Sequence, residues 1–139
     1  LQRNGWSDVP IFAVETEGAA SFHRAIEAGR PVELEKITSI ATSLGAKRVC
    51  ERAFQWSTEH PIRSVVVSDQ SALSACERFL ADHRLLVEPA CGASLALAYD
   101  KASELEQFSS VLVVVCGGAT ATVDQIREWS KKYEPLQTA

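Results

Sequence analysis

Apolar residues along the chain fall into short unbroken runs that alternate with longer stretches of helical spacing. Val9-Pro-Ile-Phe-Ala-Val14 is nearly continuous and predicts a strand covered on both faces. Pro10 is tolerable near its start, where a ladder can spare one donor. From about Ala19 to Glu27 the spacing turns helical and stops at Gly29 and Pro31. Thr38 or Ser39 is placed to cap a short helix through Leu44, closed by Gly45. Val49 to Thr58 predicts another helix with Val49, Ala53 and Trp56 along one face, broken by Pro61.

Val65-Val66-Val67 predicts a second strand. Ser68 or Asp69 caps a helix from Ser71 to about Asp82, with Ala72, Ala75, Phe79 and Leu80 at helical spacing. Glu88-Pro89-Ala90 opens a helix rich in small residues that runs to about Leu105, its charged end from Asp100 to Glu106 facing solvent. Ser110-Val111-Leu112-Val113-Val114-Val115-Cys116 is the clearest strand, stopped by Gly117-Gly118, and a last helix runs from Thr122 or Val123 to about Tyr133. Strands separated by helices predict an α/β fold, an open, twisted, mostly parallel sheet with flanking helices. Such sheets bind ligands beyond the carboxyl ends of their strands, which singles out Glu15-Thr16-Glu17-Gly18-Ala19 and Cys116-Gly117-Gly118.

Composition removes whole classes. At 139 residues the chain has the length of one domain, and with 46% hydrophobic and 23% charged residues it resembles ordinary globular proteins. A formal net charge of -4 argues against a general nucleic-acid or polybasic membrane binder. No apolar run approaches the ~18–20 residues of a membrane span, and the polar N-terminus lacks the order of a signal peptide. Cys50, Cys76, Cys91 and Cys116 form no Cys-x-x-Cys pair and read as reduced thiols of a cytoplasmic protein. His23, His60 and His83 share no metal-like spacing and read as surface or cap residues. A chain that starts with Leu and contains no Met is expected to be a piece of a longer protein.

Four segments go further. Val14-Glu15-Thr16-Glu17-Gly18-Ala19, the stretch from Lys36 to Lys47, Leu86-Val87-Glu88-Pro89-Ala90-Cys91-Gly92-Ala93, and Val113-Val114-Val115-Cys116-Gly117-Gly118 follow one another in this order. Together they resemble the C-terminal part of the L-serine dehydratases (L-serine ammonia-lyases), pyridoxal-phosphate enzymes of fold type II. The resemblance covers nearly the whole chain, and the Cys-Gly-Gly ending separates it from relatives that carry serine there. It implies that residues 1–139 are the C-terminal part of the coenzyme-binding catalytic domain. The family's Schiff-base lysine and glycine-rich phosphate loop have no counterpart here: Lys36, Lys47, Lys101, Lys131 and Lys132 match no such position, and the seven glycines include one adjacent pair. No catalytic residue is therefore expected in this chain, which by itself should be inactive.

The resemblance also assigns roles. Cys116, from its position alone a small hydrophobe at a strand end, would face the pyridine nitrogen of the coenzyme. A thiol is a weaker acid than a carboxylic acid. It would leave that nitrogen largely unprotonated and favour elimination over racemisation. Gly117 and Gly118, on residue type alone either a turn or a place of close backbone approach, would lie against the ring. Glu15, read by position as a helix N-cap partner or a loop carboxylate, would help hold a monovalent cation, potassium, with the main-chain carbonyls of Ala19, Leu44 and Ala46. Ser43 would lie near the substrate, where the family often has alanine. Glu88 is placed to cap the helix it precedes, with Cys91, Gly92 and Ala93 allowing close packing, a structural role.

The complete protein would convert L-serine or L-threonine to the 2-oxo acid and ammonia, as a homodimer. The alternatives are a non-catalytic α/β module or subunit, and a related threonine dehydratase or serine racemase. Two departures stand out. Glu17 occupies a place often apolar in the family, and the segment between Leu105 and Ser110 is shorter than in the animal liver enzymes.

Overall fold

The computed structural model describes residues 1–100 and 102–133; Lys101 lies outside the described residues, and with it one position of the helix read through Leu105. The chain divides into two compact units, Leu1–Val66 and Val67–Ala139.

In the first unit β1 (Ile11–Thr16) and β2 (Ile62–Val67) form a two-stranded parallel sheet, joined by a crossover through α1 (Ser21–Ala28) and α2 (Glu51–Glu59). Parallel neighbours require such a crossover. β1 begins two residues later than the apolar run. The carbonyl of Val9 is taken by Nε2 of His60 at 2.8 Å and Pro10 has no N–H, so pairing starts where Ile11 donates to the carbonyl of Pro61 at 2.9 Å. His60, of the two readings surface or cap, is the C-cap of α2, and it is buried. The expected helix after Thr38 shrinks to a single 3-10 turn, Thr42–Leu44, which Gly45 closes as anticipated. α2 starts at Glu51, so Val49 precedes it rather than sharing its face; Val49, Ala53 and Trp56 nevertheless border, with Ile11, Ala13 and Phe22, one apolar hollow of about 770 Å³.

The second unit packs α3 (Asp69–His83) against α4 (Pro89–Tyr99) and α5 (Val123–Tyr133). Ser68 caps α3, its hydroxyl accepting from the amide of Ser71 at 3.0 Å. Seven residues of α4 are buried, so no side of it is polar, as its run of small apolar residues dictates. Gly92 lets the two helices meet: a Cβ there would lie 2.2 Å from the Ala72 carbonyl oxygen and 2.6 Å from Sγ of Cys76. Thr122 and Gln125 cap the start of α5 reciprocally, each side chain accepting the other's amide.

Two expectations fail here. α4 stops at Tyr99, where the amide of Asp100 turns back to Ala96, and only a 3-10 turn, Ser103–Leu105, follows. The run from Ser110 to Cys116 is not a strand: among the described residues it joins no ladder, and Leu112 is 84% and Val114 70% exposed. A strand needs a neighbour's row of N–H and C=O groups, which no apolar run supplies for itself.

Candidate functional site

In the first unit the loop after β1 is built around Glu15, which is buried. One carboxylate oxygen accepts from the amide of Phe22 at 3.0 Å, the other from that of His23 at 2.8 Å. Ala20, the N-cap of α1, has no side chain to do this, so Glu15 caps the helix from outside its first turn. The loop 38–46 is fastened to it. Thr16 donates its hydroxyl to Oγ of Ser39 at 2.7 Å, Ser39 accepts the amide of Ala41 at 2.9 Å, and Thr38 donates to the Gly18 carbonyl at 3.0 Å. A Cβ on Gly18 would lie 2.4 Å from the amide nitrogen of Ser39, so the loops touch backbone to backbone.

The residues read as cation ligands therefore belong to two loops that the fold joins. Ala19 is buried, Leu44 half-buried and Ala46 exposed, and the Leu44 carbonyl accepts from the Ala46 amide at 2.8 Å. The donors are all oxygens, the type a hard cation takes, and a carboxylate or carbonyl oxygen with one hydrogen bond keeps a further lone pair. The set fits such an ion. Ser43 is exposed in the same 3-10 turn, and Glu17 is exposed beside Gly18.

In the second unit the loop Cys116-Gly117-Gly118 lies over the start of α4. Cys91, buried, accepts at Sγ the amides of Cys116 at 3.3 Å and Gly117 at 3.4 Å, and its thiol donates to the Gly117 carbonyl at 3.3 Å. That carbonyl also receives the amide of Glu88 at 3.0 Å. Gly117 has φ +145°, where a side chain is strained, and a Cβ there would meet nothing within 4 Å. Gly118 is the reverse case: a Cβ would lie 2.5 Å from the Leu86 carbonyl oxygen. Cys116 is exposed. An accessible thiol at Cys116 followed by the bare, open backbone of Gly117 is of the kind that would suit the edge and face of a flat aromatic ring such as the coenzyme's.

Cys91, buried in α4 as close packing requires, also reaches this loop, and Glu88, at the N-cap position of α4, sends its side chain there. The side chain of Glu88 makes no cap to α4; its carboxylate accepts from the amide and the hydroxyl of Thr120. Pro89 and Glu88's own carbonyl, which receives the amides of Cys91 and Gly92, already serve the helix start. The Glu-Pro-Ala-Cys-Gly-Ala motif was the visible signal, but nothing in its spacing points to a loop 25 residues away. Cys76 is buried beside Cys91, and burial, helped by that neighbouring thiol, pushes its own thiol from 9.0 up to about 12. Among the described residues no three His, Cys, Asp or Glu side chains gather as a metal cluster, and no helix is long and apolar enough to cross a membrane.

The parallel strands and the helices that join them are of the α/β class. The family described as "Pyridoxal-phosphate dependent enzyme" matches residues 1–117, and the chain belongs to that family. It is 47% identical over 135 residues to the Homo sapiens protein named L-serine dehydratase/L-threonine deaminase, covering 91% of this chain and 41% of that one. A fungal L-serine ammonia-lyase from Rhizomucor miehei superposes with a TM-score of 0.85 at 35% identity, covering 96% of this chain and 44% of that one. Maize serine racemase superposes with a TM-score of 0.74 at 22% identity over 90% of this chain and 40% of that one, a likeness of fold alone. The chain thus spans about two fifths of the length of the curated relatives it matches.

Proposed function

We propose that residues 1–139 are the C-terminal part of the catalytic domain of a pyridoxal-phosphate-dependent L-serine ammonia-lyase. The observation that carries this reading is the 47% identity, over 91% of the chain, to a protein named for serine and threonine dehydration. The exposed apolar run Val111–Val115 supports a larger domain, because contiguous apolar surface of this kind marks a face that another segment covers. The complete protein would act on L-serine or L-threonine and release ammonia with pyruvate or 2-oxobutanoate.

When bound, pyridoxal phosphate supplies an electron sink for the bond broken at the substrate α-carbon. Cys116 would face the ring nitrogen and Gly117 would leave open, bare backbone for the ring, with Gly118 beside it packed on the Leu86 carbonyl. Glu15 and the carbonyls of Ala19, Leu44 and Ala46 hold potassium, which steadies the two loops that Thr16 and Ser39 already join. The Ser43 hydroxyl lies on the substrate side. The lysine that binds the coenzyme and moves the α-proton comes from another part of the protein. Four free thiols, two of them exposed, suit a reducing compartment and support a cytoplasmic location. The homodimer rests on the resemblance to the family.

The test is turnover by the complete, coenzyme-loaded protein, with products identified from L-serine and L-threonine and with potassium exchanged for a large organic cation. Pyruvate from serine, lost without potassium, is the expected result. A coenzyme-loaded protein that racemises serine without releasing ammonia overturns the lyase reading, and one that binds no coenzyme makes the chain a non-catalytic module.

A further inference from the structure

The loop that carries Cys116 has no regular secondary structure of its own, yet three of its residues are held by two side chains and one amide from the start of α4. The Cys91 thiol is the centre of this arrangement. It accepts both successive amides, Cys116 and Gly117, and returns its own hydrogen to the Gly117 carbonyl. A thiol is a weak donor and a weak acceptor, so no single one of these bonds would fix a loop. Their number and direction do, because the three bonds to one buried atom tie three successive peptides, Val115–Cys116, Cys116–Gly117 and Gly117–Gly118. The Glu88 amide meets the same carbonyl, and the Glu88 carboxylate takes both donors of Thr120, closing the far side.

We propose that Cys91, with Glu88, is a positioning residue: it holds the backbone of Cys116 and Gly117 in the setting that aims the Cys116 thiol at the coenzyme ring. This rests on the assignment of Cys116 to the coenzyme and adds how the thiol is aimed. Bare backbone at Gly117, with φ +145°, needs such a hold, because glycine itself restricts little.

The experiment uses the holoenzyme with Cys91→Ala and Cys91→Ser. Serine keeps a donor and an acceptor in the same place; alanine keeps neither. In Cys91→Ala, exchange of the Cys116 and Gly117 amides should quicken by about tenfold, the factor that loss of a modest hydrogen bond sets. Coenzyme affinity should fall by a similar factor, with a changed absorption maximum of the bound coenzyme. Cys91→Ser should restore both. Unchanged exchange in Cys91→Ala, or a serine variant that behaves like alanine, overturns the proposal. So does quickened exchange with the coenzyme's affinity and spectrum untouched. If Cys91→Ala does not fold, Thr120→Val decides: it loosens the Glu88 side from the surface, and the same two readouts must move in the same direction. A separate variant, Cys116→Ala, tests the underlying assignment; an unchanged coenzyme spectrum there removes the site reading even where the amide exchange behaves as expected.

Discussion

In the first unit Glu15 turns both carboxylate oxygens to the amides of Phe22 and His23, whereas in the second Glu88 leaves its helix start alone and reaches Thr120. Both are acidic residues at the approach to a helix, and both follow an apolar run. Their different use comes from the next residues. α1 opens on Ala20 and Ser21 with no capping side chain at Ala20, so its first amides need an acceptor brought from outside. α4 opens on Pro89, which has no amide, and on a Glu88 carbonyl that already receives two. A carboxylate near a helix is therefore a cap only where the helix lacks one, and is otherwise free to tie a loop.

The comparison can be broken most severely at the contact beneath the second loop. Gly92→Ala should cost about 3 kcal/mol or more, because its Cβ would overlap the Ala72 carbonyl and Cys76, both part of a packed helix pair. Urea unfolding of the intact protein reads this; a loss under about 1 kcal/mol would mean that α3 and α4 separate at little cost. Next in size is the carboxylate contrast itself. Glu15→Ala should destabilise by about 2 kcal/mol, the upper range for a lost cap, since one buried and one half-buried amide lose their acceptor. Glu88→Ala should cost less than about 1 kcal/mol, as its exposed partner Thr120 can turn to water. Equal losses at the two positions would end the distinction.

A pH-dependent effect follows from Cys76. Burial raises its folded value to about 12 from 9.0, so folding favours the protonated thiol. Its contribution is complete below pH 9 and is lost as pH rises toward 12. Stability of the intact protein should decline over that window, and Cys76→Ala should flatten the decline; an identical slope in both proteins would refute the linkage. Smallest is a reactivity difference in the folded chain. Cys50 should alkylate at neutral pH while Cys76 and Cys91 do so only on unfolding, read by mass spectrometry of labelled peptides. Prompt labelling of Cys91 would mean that the hold on Gly117 opens freely.

Local signals decided much of this architecture. Ser68 caps α3, Pro89 opens α4, Gly45 closes its turn, and the alternation of apolar runs with helical spacing gave an α/β fold with a parallel sheet. Each of these is settled within a few residues, because hydrogen bonds of caps and turns are made to near neighbours in the chain. The Glu-Pro-Ala-Cys-Gly-Ala and Cys-Gly-Gly motifs were equally legible as marks of a family. Their relation to each other was not. The bonds from Cys91 to Cys116, from Thr16 to Ser39 and from His60 to Val9 cross 25, 23 and 51 residues, and no periodicity encodes them. The run Val111–Val115 makes the same point from the other side: its sequence is the most strand-like of the chain, yet among the described residues it lies in no ladder and is largely exposed. Whether an apolar run is a strand, and whether a carboxylate is a cap or a tie, depends on which partner the fold brings to it, since a hydrogen bond belongs to two groups and the chain's local order specifies only one of them.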